Sequence, residues 1–289
     1  MDAMTRVERS LSAAFGLAQG SEQPATLINA MRYAVFPGGA RVRARLCLAV
    51  ARACEEDRPA LTAGVAASIE LIHCASLVHD DLPCFDDAAI RRGRASVHRA
   101  FGEKIAVLAG DALIVLAVQS LVHAAERAPA RLGPLLLILS RAIGAPNGII
   151  AGQAWECEPQ VVLAKYQRAK TGALFAAATA AGACVAGHDA DNWHLLGERI
   201  GEAYQIADDI RDVVSTEDDL GKPTGRDQLL GRPNAVAQMG MTAAVLKLEE
   251  LVRAAMGEIP ECAGAHDLRA HILAEANRLL PRKMARPAA

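Results

Sequence analysis

Two long apolar stretches of this chain end in clusters of aspartate. Asp80-Asp81-Leu82-Pro83-Cys84-Phe85-Asp86-Asp87 closes one, and Asp208-Asp209-Ile210-Arg211-Asp212 closes the other. Two carboxylates about 4 Å apart at an effective dielectric near 20 repel by roughly 4 kcal/mol, so a fold that gathers them in a partly apolar cleft needs cations. Hard divalent ions that take oxygen ligands, Mg²⁺ above all, are the matching partners. One such cluster alone also fits a solvated acidic helix end. Here there are two, each with basic residues close behind: Arg91-Arg92-Gly93-Arg94 after the first and Gly221-Lys222-Pro223-Thr224-Gly225-Arg226-Asp227 after the second. Metal together with Arg and Lys is how proteins hold diphosphate groups.

The rest of the chain argues for helices. Only 3% of residues are aromatic, β-branched runs are short, and Ala, Leu, Arg and Glu recur at helical spacing, which predicts an all-α fold. Small side chains let helices approach closely, so a bundle around an apolar cavity is expected. Loop signals at Phe36-Pro37-Gly38-Gly39, Gly144-Ala145-Pro146-Asn147-Gly148 and Arg232-Pro233-Asn234 punctuate what reads as one domain over 1–289. A net charge of −2 argues against a nucleic-acid surface or a polybasic membrane anchor. The seven cysteines are scattered and form no C-x-x-C pair, as in a cytoplasmic protein with reduced thiols. The N-terminus lacks an apolar signal core and Asp111 interrupts the apolar run from Ile105 to Val122, so neither a signal peptide nor a membrane span is expected.

Ala66 to His79 has helical character, and Pro83 removes an amide hydrogen and disfavours helical backbone before it. Asp80 and Asp81 therefore close a helix, with Asp86 on the next irregular turn, able to fold back toward the same ion. Gln205, Asp208 and Asp212 fall at i, i+3 and i+7, one stripe of a second helix suited to metal and water ligands. Helices facing each other in this way grip a diphosphate from two sides.

The pattern D-D-x-x-x-x-D with R-R-G, then D-D-x-x-D with G-K-x-x-G-x-D, resembles the trans-prenyltransferases, the all-α isoprenoid diphosphate synthases. Gly38-Gly39 with Arg41 and Arg43, Leu71-Ile72-His73, Gly152-Gln153 and Lys170-Thr171-Gly172 match further landmarks in order, over nearly the whole chain. In texture the chain is similar to bacterial geranylgeranyl diphosphate synthases of carotenoid pathways. The resemblance implies a helical bundle around a deep apolar cavity, several Mg²⁺ ions, a homodimer, and condensation of isopentenyl diphosphate with an allylic diphosphate. It implies that Asp80, Asp86 and Asp208 ligate metal on the allylic diphosphate, supported by Asp81, Asp209 and Asp212. Arg91, Lys170 and Lys222 neutralise that diphosphate and Gln205 orients it, with Thr171 a further substrate-binding residue. Isopentenyl diphosphate takes a metal-free basic pocket of Arg43, His73 and Arg92.

The chain departs from the family pattern in places. Ala40 and Ala44 stand where the family has Lys and Pro, Ala95 stands where R-R-G-x-P has proline, and Arg232 replaces a later lysine. One cation is thus missing from the isopentenyl diphosphate pocket, with Arg41, Arg43 or Arg45 as compensators or a lower affinity as the alternative. A terpene cyclase or head-to-head synthase would not need that second pocket, and a regulatory subunit would lose acidic ligands that this chain keeps. Product length remains. A bulky aromatic residue five positions before the first motif stops growth at fifteen carbons in the family, and here that position is Ala75, about 7 to 8 Å along the helix from Asp80 at roughly 1.5 Å rise per residue. Ser76 lies more directly under Asp80 on a helical wheel. Both are small, so the expected product has twenty carbons, with a fifteen-carbon farnesyl diphosphate synthase as the alternative.

Overall fold

The computed structural model describes residues 2–18, 20, 22–36, 38–214 and 234–279. Lys222, the rest of the Gly221–Asp227 motif and Arg232 lie outside them.

Helices dominate. In chain order they are α1 Ala3–Leu17, α2 Ala25–Val35, α3 Val42–Ala53, α4 Pro59–Asp80, α5 Val97–Phe101, α6 Glu103–Ala124, α7 Pro129–Ile143, α8 Ile149–Ala154, α9 Leu163–Gln167, α10 Ala173–Val185, α11 His194–Val214, α12 Ala235–Met239, α13 Met241–Gly257 and α14 Ala265–Leu279. Each loop signal falls between helices: residues 36–39 between α2 and α3, 144–148 between α7 and α8, and Asn234 at the start of α12. The Asn234 side chain accepts hydrogen bonds from the amides of Val236 and Ala237, the usual N-cap arrangement.

The Ala-rich α10 is buried along its whole length, and α4 is buried on most of its faces. Around them pack α1, α3, α6, α7 and α11, which is how a chain with few aromatic residues builds a large core from close helix contacts. Proline at the first turn starts α4, where a missing amide hydrogen costs nothing. Its end at Asp80 agrees with the break imposed by Pro83.

Two details differ from the sequence reading. Residues 90–95 form a small antiparallel hairpin, β1 Ile90–Arg91 with β2 Arg94–Ala95, whose turn residues Arg92 and Gly93 have φ of 54° and 76°. Positive φ at both positions is what a two-residue hairpin turn of matching twist needs, and Gly93 adopts it freely. Arg94 anchors the hairpin by donating to the carbonyls of Tyr33 and Phe36 at the end of α2. The second difference is α6, which runs unbroken through Asp111, a residue exposed on its surface. Both α4 and α6 are long and apolar enough to cross a membrane. The apolar window of α4 is 78% buried in the fold, that of α6 only 44%.

Candidate active site

A cavity of about 820 Å³ opens between α4, α11, the hairpin, α3 and the α8–α10 region. Asp80, Asp86, Asp208 and Asp212 all line it, as do Gln205, Thr171, Lys170, Arg43, His73, Arg91 and Arg92. The two acidic segments therefore share one space. Its remaining wall is apolar and includes Ile72, Leu77, Ile114, Ile143, Ile149 and Leu174.

The turn after α4 brings the first carboxylates together. The Asp86 amide donates to the Asp80 carbonyl at 3.0 Å, folding the loop back on the helix end. Carboxylate oxygens of Asp80, Asp86 and Glu156 then lie within 4.8 Å of one another. Three hard oxygen donors at this separation fit Mg²⁺, and the residues that would hold it are in place. Lys170 sets a positive charge against this group: its Nζ donates to Asp80 at 3.0 Å and to Glu156 at 2.6 Å. Burial and the neighbouring Asp86 push the Asp80 carboxyl above its ordinary value, and Lys170 pulls it back.

Glu156 escaped the sequence reading. It sits in the 3₁₀ turn Trp155–Cys157 after α8, and besides Lys170 it accepts from Tyr166 Oη at 2.7 Å and Gln153 Nε2 at 3.0 Å. Its one sequence signal is its place a helical turn after Gly152-Gln153. Gly152 is required because α8 rides on the backbone of Lys170: a Cβ there would meet Lys170 N at 2.3 Å. Lys170 itself lies in the π-helical segment Arg168–Gly172, a widened turn of a kind often found at functional sites.

Asp81 and Asp209, expected in support of the ligands, stand behind the cavity wall. Asp81 and Asp209 are each only 2% exposed and are absent from the cavity wall. Asp81 accepts the fork of Arg91, with Nε at 3.0 Å, so it fixes the guanidinium that borders the cavity. Asp209 accepts from the Ala235 amide at 2.7 Å and from Gln205 Nε2 at 2.9 Å, while Thr171 Oγ1 donates to Gln205 Oε1 at 2.7 Å. Gln205 is thus held at both ends, its amide orientation set by an acid behind it and a hydroxyl beside it. Asp208 pairs with Arg211 at 2.6 Å.

The arginines separate cleanly. Arg41 precedes α3 with φ of 53° and is buried, donating to Glu8, Glu70 and the Val35 carbonyl. Arg45 pairs with Glu275 at 2.6 Å. Of the three proposed compensators for Ala40, Arg41 and Arg43 border the cavity and Arg45 does not; the Arg41 guanidinium is taken up by Glu8 and Glu70, and that of Arg43 lies 4.4 Å from the Phe175 ring centroid. Burial lowers the proton affinity of Arg43 from its ordinary value. His73 is neutral, because burial first, then Arg43 and Arg92, hold its imidazole well below the usual range. Arg92 lies against Gly39, where a Cβ would meet its Nε at 3.2 Å.

The expected chain-length pair divides as well. Ser76 lines the cavity, whereas Ala75 is 1% exposed inside the helix core and is not part of the wall.

A helical bundle that encloses two carboxylate clusters, forked arginines and an apolar chamber defines an enzyme of prenyl diphosphates. Residues 24–267 match the polyprenyl synthetase model, and the chain belongs to that family as a prenyltransferase. It is 50% identical over 280 residues to a geranylgeranyl diphosphate synthase of Cereibacter sphaeroides, covering 97% of each chain. It is 46% identical over 275 residues to that of Rhodobacter capsulatus, covering 95% of each. Among solved structures, a Helicobacter pylori geranyltransferase complexed with magnesium and isoprenyl diphosphate superposes with a TM-score of 0.82 at 29% identity over 96% of each chain.

Proposed function

We propose that this protein is a geranylgeranyl diphosphate synthase, which joins isopentenyl diphosphate head to tail with allylic diphosphates to give mainly the twenty-carbon product. The observation that carries this is the single cavity, in which acidic metal ligands, a separate cluster of Arg43, His73 and Arg92, and an apolar wall without a bulky residue at Ser76 occur together. The identities to two named geranylgeranyl diphosphate synthases support the same length.

Several bound Mg²⁺ ions would stabilise negative charge on the leaving diphosphate. Asp80, Asp86 and Asp208 are the residues to hold them, with Glu156 beside the first two. Lys170 and Lys222 neutralise the allylic diphosphate and Gln205 orients it. Arg43, Arg92 and neutral His73 hold isopentenyl diphosphate, placing its alkene to capture the allylic cation. The apolar wall keeps water from that cation. The lost proton passes to the departing diphosphate, so no protein nucleophile is needed.

The reading extends to a cytoplasmic homodimer, one domain over 1–289, without membrane insertion or nucleic-acid binding. On α6, Leu108, Val115, Val118 and Val122 are exposed at heptad spacing with Asp111 among them, a stripe suited to a second copy of the chain.

Incubation with isopentenyl diphosphate, Mg²⁺ and one allylic diphosphate, followed by product sizing, tests the reading. A twenty-carbon diphosphate is expected. A fifteen-carbon product refutes the length, a hydrocarbon formed without isopentenyl diphosphate indicates a cyclase, and no product indicates a regulatory subunit.

A further inference from the structure

The basic pocket has fewer available cations than the sequence suggests. Arg41 and Arg45 are committed to Glu8, Glu70 and Glu275, and Ala40 borders the cavity without charge. Arg92 lies 4.0 Å from Glu70. A diphosphate carries several negative charges, and Arg43 with an Arg92 that also faces Glu70 is a thin complement to them.

Arg211 stands close by. Tyr204, Asp208 and Arg211 fall at i, i+4 and i+7 on α11, so they share one stripe of the helix. The Arg211 guanidinium is 5.8 Å from the Tyr204 ring centroid and that of Arg43 is 5.5 Å from the same centroid, so one ring carries a guanidinium from each of two helices. Both arginines line the cavity. The Nε of each is buried and has no hydrogen-bond partner among the described residues. Leaving a buried, charged donor unpaired is unfavourable, and an anion that reaches both would remove that penalty.

We propose that Arg211 is a binding residue for isopentenyl diphosphate, forming with Arg43 a pair of guanidiniums about Tyr204 and supplying the charge that Ala40 does not. This rests on the prenyltransferase reading of the cavity. The ion pair with Asp208 gives the alternative role, in which Arg211 only restrains a metal ligand.

Steady-state kinetics separate the two. Loss of one charge-assisted contact, about 1.5 to 3 kcal/mol, predicts that Arg211→Leu raises KM for isopentenyl diphosphate roughly ten- to hundredfold. The allylic KM and the Mg²⁺ concentration for half-activation should stay near wild type, Arg211→Lys should keep most of the affinity, and Ala40→Lys should restore part of it in the Arg211→Leu background. Calorimetric titration of folded Arg211→Leu with isopentenyl diphosphate should show the same loss without turnover. An unchanged KM for isopentenyl diphosphate, or an equal rise in the allylic KM or Mg²⁺ requirement, overturns the assignment. Arg43→Ala serves as the control: if it raises KM for isopentenyl diphosphate while Arg211→Leu does not, only the Arg211 assignment fails, and if neither does, the pocket itself is misassigned.

Discussion

Lys170 Nζ and Glu156 Oε1 are 2.6 Å apart, and the same ammonium reaches Asp80 at 3.0 Å. Glu156 is tied down by Tyr166 and Gln153 as well, whereas Asp80 ends its helix beside a loop. The Glu156 side of the bridge is the fixed one. A divalent cation at Asp80 would compete with Lys170 for that carboxylate, and Glu156 would then hold the ammonium at the cavity edge.

Glu156→Gln should therefore lower kcat by about ten- to hundredfold, the scale of a misplaced catalytic group, with a melting temperature close to wild type. The check is kcat alongside a thermal melt. Wild-type turnover would mean that Lys170 needs no such tether.

Chelation should abolish activity and Mg²⁺ should restore it, because Asp80, Asp86 and Glu156 repel a diphosphate when no ion lies between them. Mg²⁺ with inorganic pyrophosphate should also raise the melting temperature, since a ligand at about 100 times its Kd adds roughly 2.7 kcal/mol to stability. The shift should disappear in Asp80→Ala.

Ser76 and Ala75 should respond differently to enlargement. Ser76→Phe projects into the cavity and should shorten the product toward farnesyl diphosphate in a folded enzyme. Ala75→Phe forces a ring among packed helices and should cost about 1 to 3 kcal/mol of stability, with shortening only through the shifted helix. Product sizing and urea unfolding of both variants check this.

His73 gives a pH signature. The unfolded chain protonates it near the ordinary value of 6.5, and the folded protein does so only well below that. Between those values the unfolded state binds more protons, so this residue makes stability fall as pH drops through about 6.5. His73→Gln should lose less stability between pH 7.5 and pH 5 than wild type, measured by urea unfolding. Equal losses would show that the imidazole is not held neutral.

The acidic end of the cavity was legible in the sequence because its signals are local. Pro83 breaks a helix wherever it stands, and spacing on α11 sets which residues share a stripe. What it hid depends on tertiary contact. Asp80 and Asp81 are neighbours of one type, yet only packing against the hairpin decides that Asp81 takes Arg91 while Asp80 faces the cavity. Arg41 and Arg43 look alike until the left-handed backbone at Arg41 turns its side chain toward Glu8 and Glu70. Glu156 comes to Asp80 only through the glycine contact of α8 with Lys170. The hairpin at 90–95 is two residues per strand, too short for an alternating pattern to show.

The most direct test of the account is turnover of labelled isopentenyl diphosphate by wild type, Asp80→Ala and Asp208→Ala under saturating Mg²⁺, each shown to be folded by its melt. Carboxylates that place metal on the leaving group act mainly in the transition state, so kcat in each variant should fall by several orders of magnitude. Near-normal turnover of either folded variant would contradict the assignment of this cavity as a metal-dependent prenyltransferase site.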